Sequence, residues 1–250
     1  MTIALSILVL GLIVMGAVAQ RIAGLGFALL VSPFLVLILG PHEGVLLVNI
    51  CGVVSSTLIV PRVWKDIDWQ MFRWLAIPAV FGSVAGSFAA VGLPSAPLAV
   101  TVGAVVLAGL TASLLLQRSS VVVTGNRSKA VAGLAAGLTN SMAGVGGPAV
   151  SAYALLSRWP QRPFAATLQP FFAVIGSVTV IVKLLIDPGQ VPPLETWMWV
   201  LIPISIILGI FAGERLSRYI HDRHARFAVI VIAFLGAATA LITGIADLLA

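Results

Sequence analysis

Two glycine-rich stretches carry the residues best suited to do chemistry. They are Gln20-Arg21-Ile22-Ala23-Gly24-Leu25-Gly26 and Asn140-Ser141-Met142-Ala143-Gly144-Val145-Gly146-Gly147-Pro148. Each lies inside an apolar run and joins a carboxamide to glycines. A helix that breaks in such a run leaves backbone N–H groups without intrahelical partners, in a place without water. Those donors carry the positive end of the helix dipole and attract anions. Glycine permits both the turn and the close approach of a ligand, and Pro148 suits the first position of the half-helix that follows. Glycines also let membrane helices pack closely, but their placement at both breaks favours a binding site. Arg21 adds to this, because an arginine deep in an apolar run marks a functional site by default. The acidic residues Glu43, Asp66, Asp68, Asp187, Glu195, Glu214 and Asp222 read as loop residues, too peripheral to partner it. A bound oxyanion would match its guanidinium fork. The alternative is an Arg21 at a helix end that snorkels to the interface.

The two stretches are copies. At an offset of 120, Gln20 aligns with Asn140, Ala23 with Ala143, Gly24 with Gly144 and Gly26 with Gly146. The same offset sets Asn49 against Gln169, and Trp74 to Pro78 is echoed by Trp199 to Pro203 at an offset of 125. The expected units are therefore a first membrane repeat over 1–120 and a second over 121–250, together forming one transport domain. The candidate substrate-binding set is Arg21, Gly24, Gly26, Asn49, Asn140, Gly144, Gly146, Gly147 and Gln169. For Asn49 and Gln169, interhelical hydrogen bonding is an equally good account. Further polar residues in the apolar segments are Ser32, Ser55, Ser56, Thr57, Ser151, Tyr153 and Ser177.

The composition says what must position these residues. Of 250 residues 60% are hydrophobic and 9% charged, with a mean hydropathy of +1.14. A soluble domain carries about a quarter charged residues, so this chain lacks the polar surface a soluble fold needs. The net charge of +6 comes from short clusters between apolar runs rather than a basic stripe, which argues against a nucleic-acid partner. The expectation is an all-α polytopic membrane protein with the lipid bilayer around it. Met1 to Ala19 imitates a signal peptide but lacks the basic start, and reads as part of the fold. Cys51, the single cysteine, has no internal disulfide partner and reads as a small buried residue.

A crossing takes about 20 residues. Segments near 44–61, 72–91, 97–117, 164–186, 195–213 and 226–248 fit. Two runs do not: as single helices, 3–40 would measure about 57 Å and 129–157 about 43 Å. The charges decide how these behave. If each is one continuous crossing, Arg62, Lys65, Arg73, Arg118, Arg127 and Lys129 fall opposite Arg158, Arg162, Arg215, Arg218, Arg223 and Arg226. If each turns at its glycines, as a re-entrant hairpin or as two short crossings, all of these share one side, and the loops at 41–43, 92–96 and 187–195 hold none. The positive-inside rule prefers the second arrangement. The halves are then inverted repeats, each a broken or re-entrant helical hairpin plus three transmembrane helices, or eight segments counting each broken run once. Broken helices in inverted repeats mark midplane binding sites in transporters.

Catalytic constellations are missing. No HExxH occurs, and His42, His221 and His224 read as loop residues, so His221-Asp222-Arg223-His224 is a solvated loop rather than a metal pair. Gly144 to Gly147 lacks the strand and acidic residue of a dinucleotide site. The reading is a non-enzyme without cofactor or metal. With no ATP-binding motif and no chain of buried carboxylates to carry protons, passive, potential-assisted export of a small anionic substrate follows.

These residues resemble the TauE/SafE sulfite-exporter family. The likeness lies in Gly24-Leu25-Gly26 through Ser32-Pro33-Phe34-Leu35, its repeat at Gly144 to Pro148, the basic loop Arg62 to Trp69, and Gly209 to Gly213 leading into Glu214-Arg215-Leu216. It spans essentially the whole chain and implies a bacterial inner-membrane carrier of sulfite or of organosulfonates such as sulfoacetate. Where the family often shows a run of glycines at the first break, this chain has Gly24-Leu25-Gly26-Phe27, which makes Phe27 and Arg21 candidates for tuning the substrate. A carrier for another organic anion or a neutral solute, and a non-transporting scaffold, are the alternatives. Monomer and homodimer are equally open.

The charge argument has a direct check. Single cysteines placed at Arg158 and Pro192, in a Cys51→Ser background, should label with an impermeant maleimide from opposite sides of the membrane, 158 from the cytoplasm. Labelling of 158 only from outside would refute the inversion.

Overall fold

The structure, a computed structural model, describes residues 2–23, 26–117, 120–216 and 222–249, and the regular elements among them are all helical. The six segments of crossing length appear within a few residues of their expected bounds: α3 (Pro41–Val63), α4 (Trp69–Gly92), α5 (Ser95–Leu116), α8 (Gln161–Ile186), α9 (Thr196–Leu216) and α10 (Asp222–Leu249). The first over-long run supplies α1 (Ile3–Ala23) and α2 (Gly26–Leu39), and the second supplies α6 (Asn126–Ala143) and α7 (Gly147–Leu156). Among the described residues seven helices are long and apolar enough to cross a membrane, the seventh being Ile3–Ile22. The chain is thus a multi-pass membrane protein. Gly24 and Leu25, Arg118, Arg218 and His221 lie outside the described residues, as do the side chains of Asp222, Arg223, His224 and Arg226.

Local chemistry explains the helix ends. Pro41 opens α3, where a missing N–H costs nothing. Asp68 caps α4 by accepting from the Met71 N–H at 2.9 Å, the usual role of an aspartate at that position. Gly144 ends α6 at φ 72° and donates its N–H to the Asn140 carbonyl. A left-handed residue there is easy for glycine and strained for others.

Contacts gather the basic segments at one end of the bundle. The Val123 N–H donates to the Leu156 carbonyl at 2.9 Å, so the start of α6 and the end of α7 lie together. Arg162 pairs with Asp66 at 3.0 Å, Arg62 with Glu214 at 3.4 Å, and Lys129 sits over the Trp74 ring. Trp64 and Trp69 meet in a tilted contact at the same end, with centroids 4.8 Å apart, and Trp64 is exposed. Such rings anchor a helix at the lipid headgroups.

The helices pair in a definite pattern: α1 packs on α9, α4 on α6, α5 on α10 and α3 on α8. Small residues allow these approaches, as expected where lipid is no less apolar than the protein. A Cβ on Gly137 of α6 would run into the Ala79 carbonyl of α4, and one on Gly209 of α9 would meet the Val14 carbonyl of α1 at 2.7 Å. Gly137→Val should therefore cost about 1–3 kcal/mol and lower the melting temperature of detergent-purified protein, read by size-exclusion after heating. Gly11, whose Cβ would meet nothing within 4 Å, should accept alanine without that loss.

Candidate functional site

Four helices bring carboxamides to the centre of the bundle. Asn140 of α6 donates to the Asn49 side-chain oxygen of α3 at 2.6 Å and to Thr179 of α8 at 3.3 Å. Asn49 in turn donates to the Val45 carbonyl at 2.9 Å. Toward the basic end, Gln20 of α1 donates to the Gln169 side-chain oxygen of α8 at 3.2 Å and accepts from the Ser55 hydroxyl at 2.7 Å. All four amides are buried. Each pair joins the two halves of the chain. An offset of 120 turns one pair into the other, Gln20 into Asn140 and Asn49 into Gln169.

A narrow cleft of about 40 Å³ lies between the pairs, room for roughly three water molecules. Gln20, Asn49, Asn140 and Ser56 supply its polar wall together with the backbone from Gly144 to Gly147, and Phe27, Val48 and Phe172 its apolar wall. Gly147, which lines the cleft, starts α7 without a side-chain cap, so no capping side chain takes up the N–H groups of that first turn. The turn leaves no space for side chains: a Cβ on Gly144 would lie 3.0 Å from Val48, and one on Gly146 would lie 2.8 Å from the Ala136 carbonyl. The Ala143 carbonyl, left over at the end of α6, accepts from the Ser32 hydroxyl of α2 at 2.6 Å.

Five of the sequence candidates meet at this cleft: Asn49, Asn140, Gly144, Gly146 and Gly147. Gln169 stands behind it as the partner of Gln20. Gly26 is the first residue of α2, and Gly24 lies outside the described residues. Arg21 is elsewhere. It occupies the last turn of α1 and lines a wider vestibule of about 370 Å³ at the basic end, with Asp66, Arg162 and Gln169. Arg21 does have a carboxylate partner, contrary to expectation. Glu214 reaches it at 3.4 Å and holds Arg62 at the same distance. The reason is the packing of α9 on α1: Gly213, one residue before Glu214, lies 2.8 Å by its would-be Cβ from Arg21. The Arg21 Nε remains buried without a hydrogen-bond partner.

Ser56 is the residue the candidate set omitted. Its hydroxyl is buried, has no hydrogen-bond partner among the described residues, and lines the cleft. A signal was present: Asn49, Gly52 and Ser56 follow one another at helical spacing and share a face of α3. Gln20, paired in sequence with Asn140, carries the same signal. Among the described residues no group of His, Cys, Asp or Glu could hold a metal ion.

The model of a family described as sulfite exporter TauE/SafE matches residues 8–240. No curated protein and no solved structure matches the chain.

Gly52 offers a clean test of the cleft. It lines the cavity, and a Cβ there would meet nothing within 4 Å. Gly52→Val should fill the cleft without lowering the melting temperature, and should abolish solute movement through it. Gly144→Ala, in contrast, should cost about 1–2 kcal/mol through its left-handed backbone.

Proposed function

The chain belongs to the TauE/SafE sulfite exporter family, a family of membrane transporters, and from that premise we propose that it exports a small sulfur oxyanion through the cleft between its two amide pairs. The observation that carries this reading is the cleft itself, whose wall holds the Ser56 hydroxyl without a partner among the described residues, the glycine backbone that opens α7, and the Gln20, Asn49 and Asn140 amides, most of whose N–H groups are held in hydrogen bonds that come free when a pair parts. Such neutral donors in a water-poor site suit an oxyanion. The volume suits sulfite better than an organosulfonate such as sulfoacetate, which needs a more open state.

The route begins in the vestibule lined by Arg21 and Arg162, where Arg21 shares Glu214 with Arg62 and Arg162 pairs with Asp66, three guanidiniums to two carboxylates in these pairs. This surplus of positive charge concentrates anions at the entrance. Gln20–Gln169 then separates vestibule from cleft, and Asn49–Asn140 with Thr179 closes the far side. Parting one pair while the other stays closed exposes the cleft to each end in turn. Two inverted repeats, 1–120 and 121–250, are supported by the offset relation of the amide pairs and by the matching contacts of α1 with α9 and of α6 with α4. The basic end is cytoplasmic by the positive-inside rule, which suits a bacterial inner membrane. The membrane potential then drives an anion outward by about 2.3 kcal/mol per charge at 100 mV, and a dianion by about 4.6.

A neutral-solute carrier is the second reading, favoured by the cleft wall, which holds no cationic side chain among the described residues. Purified protein in liposomes separates the two. Sulfite efflux should follow an imposed inside-negative potential without a pH gradient, and Asn140→Ala should slow it about tenfold or more, the loss expected for one buried polar contact. Folded protein with no sulfite flux at any potential, or flux that ignores Asn140→Ala and Gln20→Ala alike, would sink this reading.

A further inference from the structure

Helix α8 carries one polar face along its length. Gln169, Gly176, Thr179 and Lys183 recur at helical spacing: Gln169 holds Gln20, Gly176 lies against Asn49, and Thr179 holds Asn140. Lys183 stands one turn beyond Thr179, about 6 Å further along the axis, at the end away from the basic vestibule. It is 0% exposed, and its Nζ has no hydrogen-bond partner among the described residues. An ammonium taken out of water with no counter-charge costs several kcal/mol, so a lysine kept in this position calls for a ligand.

The surroundings fit an anion. His42, at the start of α3, lies within electrostatic range of Lys183, Glu43 and Asp187. Both carboxylates are turned to other work. Asp187 accepts from the Gly189 N–H at 2.9 Å and from the Gln190 amide at 3.4 Å, while the Glu43 carboxylate lies against Gly40. The His42 Nδ1 is likewise buried without a partner. The 3-10 helix Pro188–Gln190 packs on both α3 and α8 and closes this end.

We propose that Lys183, with His42 beside it, is a second oxyanion-binding station, one helical turn outward of the central cleft. It rests on the reading that the face of α8 lines the export route, and it adds to that route the one cation that is fully buried among the described residues. The anion leaving Asn140 and Thr179 meets a full charge there before it reaches the outer loops.

Sulfite binding to detergent-purified full-length protein, measured by titration calorimetry against chloride at matched ionic strength, tests the station independently of transport. Lys183→Met and Lys183→Gln should each weaken sulfite binding at least tenfold, Lys183→Arg should stay within threefold of the parent, and His42→Ala should weaken it several-fold. If neither neutral variant yields folded protein, His42→Ala and Lys183→Arg decide. Unchanged binding in the neutral variants or in His42→Ala, or no sulfite binding by the parent protein, overturns the station. Parent flux in liposomes alongside unchanged binding in the variants leaves the export reading intact and removes only the station. Binding that depends on Lys183 in a protein without flux upholds the station and removes the export reading.

Discussion

Within hydrocarbon a polar atom cannot turn to water, and each amide, hydroxyl or interrupted backbone must find its partner inside the protein. The turn between α6 and α7 shows how demanding this is. Its first N–H, on Gly144, returns to the Asn140 carbonyl, and the Ala143 carbonyl is satisfied only by Ser32, a residue of the other half of the chain. The four central amides obey the same rule, each pair bridging α1 to α8 or α3 to α6. Neither half could bury its polar groups alone, so the cleft exists only where the halves meet.

Close packing sets the geometry of these bonds. Carboxamide hydrogen bonds tolerate a few tenths of an ångström, and backbones must approach closely for α6 to deliver Asn140 to Asn49. The glycines along α4 and α6 let those two helices meet closely, which fixes where α6 stands. On the other side, glycines of α9 press on α1 and carry Glu214 to Arg21. The vestibule consequently keeps part of its positive charge and neutralises the rest. A bare cluster of arginines would hold an anion too firmly to pass it on, whereas a fully paired one would not attract it.

Much of this was legible in the sequence, and the limits have physical causes. The crossings were legible because twenty apolar residues between charged loops admit one interpretation. The offset of 120 set Gln20 against Asn140 and Asn49 against Gln169, and one carboxamide can replace another without loss of its hydrogen-bonding chemistry. The partner of Arg21 was not legible: Glu214 is 193 residues away, and only the packing of α9 on α1 brings it near. Ser56 was hidden for a different reason. Serines in membrane helices usually bond their own backbone, as Ser87 does to the Ser83 carbonyl, and sequence cannot tell which hydroxyl is left over. Lys183 lies in the last turn of α8, where a lysine side chain ordinarily reaches the interface. It is instead completely buried, at the end of the bundle where the 3-10 helix Pro188–Gln190 packs on α3 and α8.

The distribution of charge along the proposed route has a mechanistic consequence. Guanidiniums stand at the basic end, partly exposed and partly paired, and a lysine stands fully buried near the other. Between them the cleft offers only dipoles. A solute that conducts must bind well enough to enter and weakly enough to leave. Full charges at the centre would create a deep well, because a low dielectric strengthens every interaction there. Dipolar donors at the centre and charges toward the ends flatten that profile. Burial then distinguishes the two ends. The exposed vestibule draws anions through screened, long-range attraction that weakens as salt rises. Lys183, out of water, acts only on an anion that has already passed Asn140, and salt screens it little. Direction still comes from the membrane potential, since a static charge pattern lowers barriers equally for passage either way.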